Sequence, residues 1–183
     1  MKRVVSLLTI LAAFLPGVCL GGIFKLAVPT DHGVQFYWWP ELPKIRGWTH
    51  DEEASRGNGV NMLLPDGKTF SNAPAVMYAR ALYKARVPET KSLAQLIADD
   101  RAEFEKEVPG IEVKEITPIS DGDGKAHRCF AYSPPKKGSW ELVAYCEEGD
   151  FYLIFTVSGN TKAALTNATG DFARLLSGYH ERL

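Results

Sequence analysis

The sequence predicts an α+β fold, an antiparallel sheet of about five or six strands sandwiched by helices (α/β/α). Three observations predict it. Short alternating segments between residues 111 and 158 are separated by strong turn chemistry. Two longer segments, 92–107 and 161–181, carry apolar residues at helical spacing. One strand, Phe151–Ser158, is apolar on both faces, as strands covered from both sides are.

Met1 is followed by Lys2 and Arg3, an apolar run from Val4 to Leu15, the breakers Pro16 and Gly17, and small residues at Gly21 and Gly22. This order is that of a secretory signal peptide, expected to occupy residues 1–21. The run is shorter than the ~20 apolar residues of a spanning helix, so no membrane span is expected. A lipid anchor on Cys19 is not expected either, because Pro16, Gly17 and Val18 fit a lipidation motif poorly. The protein is therefore expected to be periplasmic or secreted, with residues 22–183 forming a single domain. The leader takes two of the 21 basic residues and none of the 22 acidic ones, so residues 22–183 carry 19 basic against 22 acidic side chains. Such a mixed, slightly acidic surface does not point to nucleic acid.

Phe36–Trp39 fits an early strand or an aromatic plug under the sheet. Val60–Leu64 reads as a strand ended by the turn Pro65-Asp66-Gly67. Val76–Tyr83 is compatible with strand or helix, and its β-compatible residues and short span favour strand. Ser92–Glu107 places Leu93, Leu96, Ile97 and Phe104 on one helical stripe. Ser92 and Gln95 form a capping box, and Pro109-Gly110 is the stop. Ile111–Ile119 alternates as a strand, and Asp121-Gly122-Asp123-Gly124 is a turn. Lys125–Tyr132 and Glu141–Glu147 form a hairpin, and Phe151–Ser158 follows the turn Glu148-Gly149-Asp150. Thr161–Glu181 closes the chain as a helix capped by Asn160. Gly170 and Gly178 each weaken it by ~1 kcal/mol relative to Ala, so packing must hold it.

Cys129 and Cys146 sit in the two halves of that hairpin. If they face each other, Tyr132 falls opposite Val143 and residues 135–140 connect the strands. In an oxidising compartment this predicts a structural disulfide, worth ~3 kcal/mol in the chain-entropy model. A redox or metal pair would need a C-x-x-C or clustered histidines, and neither is present.

Three stretches together look like the PsbP-type α/β/α sandwich. The first is the run from Trp48 through Asn58-Gly-Val-Asn-Met-Leu-Leu-Pro-Asp-Gly. The second is the helix Leu93-Ala-Gln-Leu-Ile-Ala-Asp-Asp with Phe104 and Pro109-Gly110. The third is the hairpin with Phe151–Ser158 and the amphipathic C-terminal helix. The resemblance covers roughly residues 34–180 and lies in element order, not in a motif. That superfamily includes extrinsic photosystem II subunits, a Ran-binding nuclear-transport factor and bacterial adaptors for secreted effectors. The resemblance implies binding of protein partners without a shared catalytic centre, and it transfers no functional residue. The export signal and the cysteine pair depart from the nuclear and cytosolic relatives.

Chemistry is sparse. His32, His50, His127 and His180 form no H-x-x-x-H, so no zinc helix is expected. His50, beside Asp51, Glu52 and Glu53, reads as part of a solvated acidic turn. His127 reads as an exposed or edge histidine. Asp121 and Asp123 lack the further ligands of a calcium loop and fit a hairpin turn. No Gly-x-Ser-x-Gly elbow exists, Gly57-Asn58-Gly59 is too short to cradle a phosphate, and the sequon at Asn167 lies in a helix. Asp100 and Arg101 read as the edge of the helical stripe, with Arg101 reaching Glu105. No cofactor and no metal are expected.

The strongest signal outside the core is aromatic. Tyr37, Trp38, Trp39 and Trp48, with Trp140 at the hairpin tip, are candidate contacts, since Trp and Tyr dominate binding hot spots. Aromatics equally fill cores beneath sheets. The expected function is a non-enzymatic exported module that engages a protein partner in the cell envelope. The alternatives are a small envelope hydrolase using His50 with Asp51 or His127, and a binder of glycans or similar small ligands through the aromatic patch.

Overall fold

The computed structural model describes residues 22–30, 33–136 and 138–181, and the expected leader lies outside them. In chain order the elements are β1 (Ile23–Thr30), β2 (Gly33–Pro40), β3 (Trp48–His50), α1 (Glu52–Asn58), β4 (Asn61–Pro65) and β5 (Ala75–Tyr83). A 3-10 turn (Lys84–Arg86) leads to α2 (Leu93–Glu107), and β6 (Glu112–Ser120), β7 (Ala126–Ser133), β8 (Trp140–Glu148), β9 (Phe151–Gly159) and α3 (Lys162–Ser177) complete the chain. The class is the expected α+β, but the sheet has nine strands where five or six were expected. Its order is β1-β2-β5-β9-β8-β7-β6, with β4 alongside β5 and β3 on β4. The extra strands lie in the N-terminal half. β1 begins at Ile23, just after the residues expected to be a leader, and β3 is only three residues long, too short to show a period.

The predicted helices form where their caps stand. Ser92 accepts from the Gln95 backbone N–H at 3.2 Å, while the Gln95 side chain accepts from the Lys91 N–H. Thr161, rather than Asn160, caps α3, accepting from Ala164 at 3.1 Å. The acidic run after Trp48 is a helix and not a turn. Asp51 caps α1 at Ala54 N–H, and Glu52 and Glu53 sit in the first turn, where the macrodipole favours them.

The sheet is covered on both sides. Leu165, Phe172, Leu175 and Leu176 of α3 pack on Met77, Ala79, Leu153, Phe155 and Val157. On the other face Leu96 and Ile97 of α2 meet Phe130, Tyr132, Val143, Tyr145, Tyr152 and Ile154. α1 covers a third cluster, Val60, Met62 and Leu64. β9 is buried from Tyr152 to Val157, consistent with its two-sided apolar sequence.

The expected disulfide is absent: Cys129 and Cys146 are free, buried thiols. Cys129 lies opposite Ala144, and Tyr132 opposite Glu141 rather than Val143. The register is offset by two residues from the one a bridge needs. That leaves Cys146 at the diagonal position, where residues stand ~7–8 Å apart, beyond the ~3.5–4.5 Å between the Cβ atoms of a disulfide. Burial pushes the Cys146 thiol up to about 12 and raises Cys129 as well, so both behave as small apolar core residues. No described helix is long and apolar enough to cross a membrane.

Candidate functional site

β2 meets β5 at a single pair, Trp38 opposite Ala81. Next to it the same edge of β5 is taken by β4, whose Asn61–Leu63 pair with Ala79–Met77. By that register Pro40 would fall opposite Ala79, where β4 already stands, and Phe36 opposite Tyr83, where β5 ends, so β2 touches β5 only around Trp38. A cleft of about 250 Å³ opens there, lined by Tyr37, Trp38, Gly59, Arg80, Tyr83 and Arg86 among others. Gly59 ends α1 with φ 68°, a left-handed conformation that glycine adopts without penalty. A Cβ on Gly59 would stand 2.4 Å from the Tyr37 ring, so that ring packs directly on the α1 terminus.

The cleft is aromatic and basic. Trp38 packs on Tyr83 (ring centroids 5.8 Å) and Phe151 (6.5 Å). The Arg86 guanidinium lies 5.8 Å from the Trp38 ring, and Lys25 Nζ lies 5.7 Å from it. Arg80 is 3.5 Å from the Asp100 carboxylate on α2, a weak pairing that leaves the arginine side chain 42% exposed. No acidic residue lines the cleft.

Arg80 also borders a second cavity of about 130 Å³ between α1 and α2, with Val60, Tyr78, Asp100, Phe104 and Thr156. A buried polar network stands beside it. Tyr145 donates to Asp100, and the Tyr132 and Tyr145 hydroxyls lie 3.0 Å apart. Burial pushes Tyr132 up to about 12 and raises Tyr145 and Tyr78 further, so these hydroxyls stay protonated. Burial also lifts the Glu141 carboxyl to about 7, despite its hydrogen bond to Ser158. Asp100 thus faces the sheet instead of lying at the stripe's edge, and the Arg101 guanidinium lies 5.9 Å from the Phe130 ring.

The five candidate aromatics do not form one patch. Tyr37 and Trp38 line the cleft. Trp39 is 2% exposed, on the opposite side of β2 from Trp38, with Phe24 and His50 at its edges. Trp48 packs against the α3 layer and donates from Nε1 to Asp171 Oδ2 at 3.0 Å. Trp140 stands at the start of β8, its ring 5.6 Å from Lys162 Nζ. Arg80, Tyr83 and Arg86 escaped the sequence reading. The Ala79-Arg80-Ala81 alternation does place Arg80 on one face, but only packing shows that a cavity lies there.

His32 lies outside the described residues; the other three histidines have structural partners. His127 is fully buried, correcting the expectation of an exposed or edge residue, and its Nε2 lies 3.1 Å from Asp121 Oδ2. Burial lowers its pKa in spite of that carboxylate, so the ring is neutral and Nε2–H is the donor. Asp121 Oδ1 accepts from the Asp123 and Lys125 N–H groups, closing the predicted turn. His50 Nε2 lies 3.2 Å from Ser55 Oγ, while Asp51 caps α1 and does not orient the imidazole. Ser55 is wholly buried. It donates to Asp51 O at 2.5 Å and accepts from Met62 N–H at 2.9 Å, so its proton is committed and His50 serves it as a donor. Among the described residues no group of three His, Cys, Asp or Glu side chains is placed to hold a metal.

No family model and no curated protein matches the chain. Solved structures do match in fold. PA94, a Pseudomonas aeruginosa protein of unknown function, is 13% identical, with a TM-score of 0.50 over 87% of this chain and 98% of its own. Cyanobacterial PsbP from Synechocystis is 16% identical, with a TM-score of 0.43 over 91% of this chain and 96% of its own. The resemblance to PsbP-type sandwiches is one of fold, at low specificity.

Proposed function

We propose that the protein is a non-enzymatic binding module of the cell envelope, and that it holds a segment of a protein partner in the cleft between β2 and β5. The observation that carries this is the cleft's composition. Aromatic rings form its walls, Arg80 and Arg86 stand at it, and acidic residues are absent from its lining. Arg86 forms no ion pair with a described residue, and the weakly paired Arg80 can exchange Asp100 for another carboxylate. A chain segment presenting an apolar side chain next to an Asp or Glu satisfies both features.

Site-directed photo-crosslinking from position 37 in intact envelopes tests the reading. A discrete protein adduct that disappears with Arg86→Glu is expected. Failure to form one, or an adduct indifferent to that change, counts against it. The glycan alternative draws on the Trp38–Tyr83–Phe151 ring cluster and predicts a thermal-shift response to saccharides that Trp38→Ala abolishes. The hydrolase alternative has less support, because Ser55, the hydroxyl nearest His50, is buried with its proton committed.

A further inference from the structure

The sheet has two edges, and they are built differently. β6 carries Glu112, Lys114, Glu115 and Pro118, and its pairing is broken by a bulge between Ile116 and Ile119. Charges, proline and bulges are the devices by which natural sheets blunt an edge. β1 has fewer of them: one charge, Lys25, a proline near its end, Pro29, and no bulge. Its sequence, Ile23-Phe-Lys-Leu-Ala-Val-Pro-Thr30, has one charge, pairs with β2 over eight residues without a register shift, and meets no other described strand. Phe24, Val34 and Phe36, three of the four large exposed hydrophobics, lie on this β1–β2 ribbon.

The direction of the open edge follows from one hydrogen bond. Glu41 N–H donates to Gly22 O at 3.0 Å, so this pair is of the hydrogen-bonded type. In an antiparallel ladder the types alternate. Phe24, Leu26 and Val28 therefore bond inward to Trp39, Tyr37 and Gln35, and Lys25 and Ala27 turn their backbone groups outward.

We propose that β1 is a self-association edge, pairing antiparallel with β1 of a second copy about a two-fold axis at Leu26. A two-fold relating antiparallel edge strands stands perpendicular to the sheet, so residues whose numbers add to an even total face each other. Centred on Leu26, Phe24 faces Val28 of the other copy, and the two Leu26 side chains meet in a continuous apolar row on one face. Lys25 faces Ala27 of the other copy, so the one charge per strand never opposes its equivalent. Lys25 and Ala27, the outward-facing pair, exchange both backbone hydrogen bonds. Centring on Ala27 would bring Pro29, which has no N–H to give, against Lys25 in the middle of the strand, whereas centring on Leu26 moves it to the end, against Ile23. Edge pairing of this length buries less than the ~1,200 Å² of stable complexes, so the dimer is concentration-dependent.

Analytical ultracentrifugation of the purified protein from about 1 to about 500 µM tests the proposal. The mass should double across that range. Ala27→Pro, which removes an outward N–H and spares the β2 ladder, should weaken dimerisation at least about tenfold, with circular dichroism unchanged. Opposed Leu26 residues form a non-hydrogen-bonded pair with Cα atoms ~4.5 Å apart, within disulfide reach. Leu26→Cys should therefore give a covalent dimer on mild oxidation, where the parent and Phe24→Cys do not. Three results would overturn the proposal. The first is a monomeric mass at every concentration, which would leave the edge to a strand of another protein. The second is a dimer that survives Ala27→Pro. The third is a crosslink as strong from position 24 as from 26. The cleft experiment reads Arg86 and a partner protein, so either proposal can fail without the other.

Discussion

The two faces of the sheet are covered by helices of similar length, 16 residues in α3 and 15 in α2, yet they are different environments. Under α3 the middle of the sheet is closed by Phe155, Phe172, Leu175 and Leu176, all at most 1% exposed. Polar groups on that side sit at one end and tie down the C-terminus. Tyr179 donates to Glu148, Gly122 N–H donates to Tyr179 O at 2.8 Å, and Lys125 pairs with Glu181 at 2.5 Å. The α2 face is shared by two helices that leave a gap. There Tyr145, Thr156 and Glu141 are buried and Tyr78 half-buried, and the cavities reach Arg80. One helix that spans a face can seal it, whereas two partial covers leave polar groups and cavities between them.

Phe172→Ala should be the most damaging change, costing about 3–5 kcal/mol in denaturant unfolding at any pH, as loss of a large ring from a sealed core does. A much smaller loss would mean that the α3 side is as loosely packed as the other. Glu141→Gln should come next, and on the opposite face it should depend on pH. Burial raises the folded-state pKa of Glu141 to about 7, above its ordinary value of 4.5, so the folded protein binds the extra proton. This carboxyl therefore removes stability as pH rises from about 4.5 through about 7, by up to about 3 kcal/mol. The glutamine variant should lose that decline. His127 works in the opposite sense: its lowered pKa costs stability as pH falls below its usual value, and it remains in both proteins. Stability curves of the pair between pH 4 and 8 isolate the Glu141 contribution.

Ser55→Ala should cost about 1–3 kcal/mol, because Met62 N–H would be left buried without an acceptor. If the loss is near zero, α1 is not fastened to β4 by this hydroxyl, and the α2 face is more open than described. Arg56→Ala, which removes an exposed i,i+4 ion pair with Glu52 on the same helix, should cost no more than about 0.5 kcal/mol.

The elements with a clear period or a clear stop were legible in sequence. β9 announced itself by being apolar on both faces, α2 by Ser92 and Pro109-Gly110, and the 121–125 turn by its Asp and Gly residues. β1 was hidden because it follows closely on the apolar N-terminal run, and α1 because seven residues hold too little period to detect. His127 could have been found, since alternation places it on the same side of β7 as Cys129, with Arg128 turned away. The cysteine pairing misled the register by two residues. A two-residue slip keeps every side chain on its face, so the hydrophobic pattern cannot detect it. The cleft was half legible: Tyr37 and Trp38 were singled out, while Arg80 and Arg86 were not.

Alternation, helical period and capping residues act within a few positions of one another, so the chain by itself determined which segments become strands and helices and which side of each is apolar. Tertiary structure alone decided the register of β8 on β7, the burial of His127 with Asp121, and the opening between β2 and β5. Each depends on which distant strand occupies a given edge: β4 takes Met77–Ala79 of the β5 edge and confines β2 to the Trp38–Ala81 contact beside the cleft.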